Sequence, residues 1–241
     1  MEIKNYSLLA KFYSNLMRKV DYYDWADYIT QLTLYTRRKI NSVLEIAAGS
    51  CAISDLLFEQ YDFVVASDLS FHMLKNSKKD RMHKVAADMR QLPFKYKFDF
   101  IFFTFDSVNY ILTEEELLQF FIDIQSCMHT DTFFAFDVGL ELNSIKYERK
   151  LNRKGKFNGI KYRQISKYNK EDRIHTNHFI IEDSEGNVFE EIHKQKIYDL
   201  IELFEIIENS GMFVVECFDA FSFDDADLTS ERAQFLIKKG K

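Results

Sequence analysis

The chain has 241 residues, 46% of them apolar and 16% aromatic, with one proline and a formal net charge of −6. That length and apolar content suit one α/β domain with an insertion and exclude a disordered or low-complexity chain. An acidic balance without a dense Lys/Arg run argues against a large phosphate-backbone footprint, so the expected partner is a small molecule and not nucleic acid.

No apolar run approaches the ~20 residues that a membrane helix needs. The start, MEIKNYSLLAKFYSNLM, lacks the charged, apolar and cleavable segments of a signal peptide. A soluble cytoplasmic protein with no membrane partner is expected, as a monomer or homodimer. Cys51, Cys127 and Cys217 are widely spaced and no histidines cluster, so neither a disulfide framework nor a metal site is expected.

In chain order, residues 1–40 form a helical cap. The short apolar runs SVLEIAA (42–48), FVVASD (63–68), HKVAAD (83–88), FDFIFFTF (98–105) and TFFAFDV (132–138) then lack the polar alternation of half-wet strands. They predict buried parallel strands. Between the last two, Thr113 and Glu116 carry the spacing of a capping box, and Leu117, Phe120, Phe121 and Ile124 repeat at helical intervals. From about 145 to 198 the texture turns mixed, in GIKYRQISKYN, RIHTNHFIIED and NVFEEIHKQKIY, which predicts an inserted antiparallel lid of three strands. A helix closed by Gly211, the strand FVVECFDAF and a last strand RAQFLIKK complete a doubly wound, mostly parallel α/β sheet with a β flap.

Ligands of such sheets bind beyond the carboxyl ends of the strands. There the first strand runs into VLEIAAGSCAIS, whose Gly49 is the only glycine before Gly139. Glycine permits a positive φ and close approach of a ligand to backbone. Asp68, 23 positions after Glu45, ends the second strand, where a carboxylate accepts from two ribose hydroxyls. Asp88 ends the third, with Met89 beside it. Each acid alone also reads as a helix cap or turn residue; three at consecutive strand ends make a site.

VLEIAAGSCA, ASDLSFHML, AADMRQLPF and FDFIFFTFDSVNYI resemble, in order, the motifs of class I S-adenosylmethionine-dependent methyltransferases, over residues 40–138. LAKFYSNLM, YYDWADYI, DSVNYI and EEIHKQKIY are similar to a bacterial subgroup near the small-molecule, sugar-amine N-methyltransferases. The resemblance implies a single domain over 1–241 with a seven-stranded Rossmann-like sheet, and S-adenosylmethionine as cofactor. It places Glu45 near the methionine amino group, Ala47 to Gly49 against the methionyl and ribose parts, and Asp68 on the ribose. Leu69 would lie on one adenine face, Asp88 and Met89 at its edge, and Phe105 would offer its carbonyl to the amino group. Tyr22 belongs to the roof over that pocket.

One departure stands out. The usual acid-x-Gly-x-Gly-x-Gly is here Glu45, Ala47, Gly49 and Cys51. Alanine is tolerated at negative φ and costs on the order of 1 kcal/mol at positive φ. Cys51 is expected at the start of the first helix, its thiol turned into packing.

Methyl transfer to an amine needs an unprotonated nitrogen held in line. Tyr13, Asp106 and His193 are the catalytic candidates on segments that should roof the pocket, with Asn109 beside them. Each also has a structural reading: core tyrosine, turn cap and surface-strand histidine. Lys161, Arg163 and Lys167 of the flap are candidates to grip a negative substrate or plain solvated charges. Two other functions stay open: a non-catalytic scaffold on the same fold, favoured by the missing glycines, and a nucleic-acid enzyme, disfavoured because FDSVNY contains no proline. A nicotinamide dehydrogenase would want G-x-G-x-x-G, which AAGSCA does not supply.

Overall fold

The computed structural model describes residues 8–240; residues 1–7 of the expected helical cap, and Lys241, lie outside them. Two short helices, α1 (Tyr13–Leu16) and α2 (Tyr22–Thr33), lead into β1 (Ser42–Ile46), α3 (Ala52–Leu57), β2 (Phe63–Asp68), α4 (Phe71–Leu74), β3 (His83–Ala86) and β4 (Phe98–Phe103). Then come α5 (Glu114–Ile124), β5 (Met128–Gly139) and α6 (Glu141–Lys150). Four strands follow, β6 (Arg153–Phe157), β7 (Ile160–Asn169), β8 (Ile174–Glu182) and β9 (Val188–Lys196), before α7 (Leu200–Asn209), β10 (Met212–Asp219) and β11 (Arg232–Lys239).

The main sheet has seven strands in the order β10-β11-β5-β4-β1-β2-β3. The five from β5 to β3 run parallel, and β11 is antiparallel to both of its neighbours. This is the α/β architecture expected from the sequence. Its strand order reverses at β1, between β2 and β4, so the crevice of the switch point lies at the carboxyl ends of those strands.

Why so many phenylalanines are needed is visible in β4 and β5. Side chains alternate across a strand, and both faces of this sheet are covered by helices, so both sets must be apolar. Ile101, Phe103, Phe134, Phe136 and Val138 pack with α5 and α7. Phe100, Phe102, Phe133 and Ala135 pack on the other face with Trp25, Ile29 and Leu32 of α2. Phe103 meets Phe134 edge-on at 5.4 Å, and Phe136 stacks on Phe235 of β11 at 5.1 Å.

Helix ends follow the sequence signals with one change. Thr113 caps α5 by accepting from Glu116 N, but the Glu116 carboxylate turns to Arg90 at 3.2 Å instead of closing a box. A capping box does form at α7, between Asp199 and Glu202. Gly211 ends that helix at φ +81.

The second sheet is an antiparallel meander in the order β6-β7-β8-β9. Three strands were expected and four are present, since β6 carries RKGKF, whose glycine and charges hide its alternation. Tyr162, Phe179 and Ile181 of this sheet pack on Leu9 and Phe12 at the chain's N-terminal side. No helix among the described residues is long and apolar enough to cross a membrane.

Candidate active site

A cleft of about 740 Å³ opens at the switch point. Its floor is built from the ends of β1, β2 and β4 and the turn after β3; its roof comes from α1, α6 and the four-stranded sheet. Of the residues singled out in the sequence, Tyr13, Tyr22, Glu45, Ala47, Gly49, Asp68, Leu69, Asp88, Met89, Phe105, Asp106, Asn109 and His193 all line it.

The turn after β1 keeps a glycine-loop conformation with only one of its three glycines. Ala47, Gly49 and Cys51 have φ of +52, +53 and +61, all left-handed. Alanine thus sits at the positive φ that costs it about 1 kcal/mol or more. Surrounding hydrogen bonds impose that shape: Ala48 N donates to Ser67 O at 2.9 Å, Cys51 N to Ala48 O at 2.8 Å, and Gly49 N to Asp68 Oδ2 at 2.8 Å. The Cys51 residue is the cap preceding α3 and is fully buried among Ala48, Val64, Ala66, Leu74 and Met82, so it does not plug the cleft. Burial pushes its thiol far up, consistent with an inert packing role.

Glu45 is buried, accepting from Ser54 N at 3.0 Å and from the Ser54 hydroxyl. Burial raises its carboxyl to about 8, against the lowering effect of both Ser54 bonds. Asp68 is raised for the same reason, although Ser70 N (2.7 Å) and Gly49 N donate to it. Two desolvated carboxylates, with acids among the charges acting on the first, leave this end of the cleft short of positive charge. Such a donor-poor, acid-lined cradle fits a ligand that brings its own ammonium and sulfonium.

Beyond the cradle, Asp88 lies two residues past the end of β3, held by Arg90 through its backbone N (2.9 Å) and guanidinium (2.7 Å), which lowers its carboxyl. Leu69 is 69% exposed at the rim, an apolar surface with no protein partner over most of its area. Phe105 follows β4 at φ +61, its ring 4.6 Å from Trp25 and 5.9 Å from Tyr22.

On the acceptor side the candidates separate. Tyr13 is held neutral: burial first, then Tyr22, Tyr110, Asp68 and Asp106, push its phenol far up. His193 proves buried on β9, not a surface-strand residue, with Nδ1 3.3 Å from the Tyr110 hydroxyl and Nε2 3.4 Å from Glu191. Glu191 also accepts from Leu8 N and Leu9 N at 2.8 and 3.0 Å, tying the N-terminal segment to the lid. Asp106 faces Arg232, whose guanidinium spans Asp106 and the buried Asp137, so its oxygens are engaged in an ion pair. The Asn109 amide is spent on the lid hinge: it donates to Gly139 O (3.1 Å) and Lys196 O (2.7 Å) and accepts from Gly139 N (3.0 Å). Lys161 pairs with Glu182 at 2.7 Å, and Arg163 and Lys167 are exposed on the same strand, so none of the three lines the cleft. Sequence reasoning missed Arg153, Gln164, His175 and Asn177, which do.

Residues 43–131 match the model of a methyltransferase domain. Along 98% of both chains the protein is 25% identical to the Bacillus subtilis protein named "Putative methyltransferase YqeM". Among solved structures it is similar to an S-adenosylmethionine-dependent methyltransferase from Clostridium acetobutylicum, with a TM-score of 0.80, 22% identity and coverage of 98% and 99%. The sugar N-methyltransferase KedS8 from Streptoalloteichus shares the fold at a TM-score of 0.76 and 15% identity, over 96% and 93% of the two chains. With this domain match and this sheet order, residues 43–131 carry a methyltransferase domain, and the whole chain has the fold of S-adenosylmethionine-dependent methyltransferases.

Proposed function

We propose that the protein methylates a nitrogen of a small-molecule acceptor held between the sheet and the lid. The observation that carries this reading is the pair of desolvated carboxylates, Glu45 and Asp68, on adjacent strand ends either side of three left-handed residues, under a roof of Tyr13, Tyr110 and His193. Bound there, the cofactor supplies a methyl group on a sulfonium, already a good leaving group.

The chain's own residues then bind, orient and exclude water. Glu45 takes the ammonium, Asp68 the ribose hydroxyls, Asp88 and Met89 the adenine edge, Leu69 one adenine face, and Tyr22 with Phe105 closes the methionyl end. Tyr13, unable to give up its proton near neutral pH, orients the acceptor by hydrogen bonding. His193 receives the acceptor's proton at a ring nitrogen, with Glu191 beside the imidazolium that results. Asp106 acts as a positioning residue, fixing the turn after β4 through Arg232. A cleft of this volume lies in the range of small-molecule sites, and the fold shared with KedS8 supports an amine acceptor.

Calorimetry tests the cofactor half: S-adenosylmethionine and its demethylated product should bind and dinucleotides should not. Release of demethylated cofactor across a panel of amines, amino sugars and carboxylic acids tests the acceptor half. Turnover confined to acceptors without nitrogen would overturn it, and failure of either nucleoside to bind would favour a scaffold.

A further inference from the structure

The inner face of the lid carries a polar chain that cofactor binding does not use. Arg153 on β6 donates from Nε to Gln164 Oε1 on β7 at 2.8 Å, and Gln164 Nε2 donates to Asn177 Oδ1 on β8 at 2.9 Å. Each link consumes an oxygen acceptor. What the chain leaves over is therefore donors: the Nη groups of Arg153 and the Nδ2 of Asn177. All three residues line the cleft.

Among the described residues no carboxylate balances the charge on Arg153, which is half-buried on β6. Arg232, another arginine lining the cleft, contrasts with it, being taken up by Asp106 and Asp137. Burial first, and then the charge of Arg18, push the Arg153 guanidinium down from its usual value, against a raising effect of Tyr162. A cation partly withdrawn from water and close to a second cation costs free energy that a bound anion would recover. Guanidinium presents paired donors matched to a carboxylate or phosphate edge.

We propose that this lid face is an anion subsite for the acceptor, in which Arg153, backed by Gln164 and Asn177, receives a carboxylate or phosphate group of the molecule to be methylated. It rests on the methyl-transfer reading above and adds the substrate's class: an amine that bears an acid group at the end meeting the lid. The exposed lysines of the flap are not needed for this, because the alternation that turns Gln164 and Ser166 inward on β7 turns Arg163 and Lys167 outward.

The test titrates inorganic phosphate and acetate, at constant ionic strength, into wild type, Arg153→Gln and Lys156→Gln, each with and without saturating S-adenosylhomocysteine. Backbone-amide NMR shifts are the readout. Lys156 is an exposed residue of the same strand and controls for general charge. Saturable binding of at least one anion is expected in wild type and in Lys156→Gln, weakened roughly tenfold or more in Arg153→Gln, the loss of one charged hydrogen-bonding partner. Preference for phosphate or acetate tells which acid the subsite takes. Absence of saturable binding, or equal binding by Arg153→Gln, overturns the subsite. If S-adenosylhomocysteine still binds in that case, only the subsite has failed; if it binds no variant, the cofactor reading has failed as well.

Discussion

The floor and the roof of the cleft are built on opposite chemistry. On the floor, Glu45 and Asp68 sit on strand ends of a sheet whose two faces are packed with phenylalanine, and their hydrogen bonds run inward to Ser54, Gly49 and Ser70. Arg153, Gln164, His175, Asn177 and His193 line the roof, a thin meander with polar side chains on its inner face. The difference teaches that two kinds of recognition are divided between two kinds of scaffold. An acidic, rigid floor suits the positively charged part of one constant ligand, whereas a donor-rich roof suits recognition of the proposed acceptor.

That division predicts that damage to the roof stops chemistry and leaves cofactor binding alone. His193→Gln is expected to lower kcat about a hundredfold, with S-adenosylhomocysteine affinity within about twofold of wild type. A flattened acidic limb in the pH-rate profile would mark it as the proton acceptor, since a base is lost by protonation at low pH, and an unchanged profile would not. Tyr13→Phe should cost less and leave the profile's shape intact.

The hinge joining the two parts can be loosened separately. Asn109→Ala removes two buried hydrogen bonds to Gly139 and a part-buried one to Lys196, so urea unfolding should show a loss of about 3 kcal/mol. Retained stability would mean that the lid is anchored elsewhere.

On the floor the sharpest signature is a proton. With its carboxyl raised to about 8, Glu45 is protonated at neutral pH in the free protein. An ammonium beside it favours the ionised form, so binding should release a proton below that pH and tighten as pH rises toward it. Stability of the free protein moves the other way, falling as pH rises from the ordinary carboxyl value of 4.5 to about 8, because the unfolded chain gives up its proton first. Calorimetry at about pH 6.5 in buffers of different ionisation enthalpy reads the proton directly; Glu45→Gln should abolish the dependence. The smallest effect is expected at Ala47→Gly, which relieves a left-handed alanine and should stabilise the fold by about 1 kcal/mol.

The same division explains what could be read from the residues alone. β1, β2, β4 and β5 are legible because a strand buried on both faces is written as a continuous apolar run, and the acids that end such runs stand out against it. In the lid the side facing the cleft is polar, so the period-two signal is weak where it matters. Arg153 illustrates this: in RKGKF it looks like one charge among several, and only the pairing with Gln164 shows which way it points. Asn109 lines the cleft as expected, but its bonding was not legible. Its place after β4 pointed to the pocket, but its amide is fully used by two backbone segments 30 and 87 residues away, a relation no local pattern records.

The claim on which the rest depends is that Asp68 and the turn around Gly49 form one side of a nucleoside site. Titration of S-adenosylhomocysteine into wild type and Asp68→Ala by calorimetry tests it, with cooperative thermal unfolding checked for both. Tight binding by wild type and a loss of about a hundredfold or more in the variant are expected, since the ribose partner and the brace on Gly49 disappear together. Equal affinity in a folded variant would contradict it.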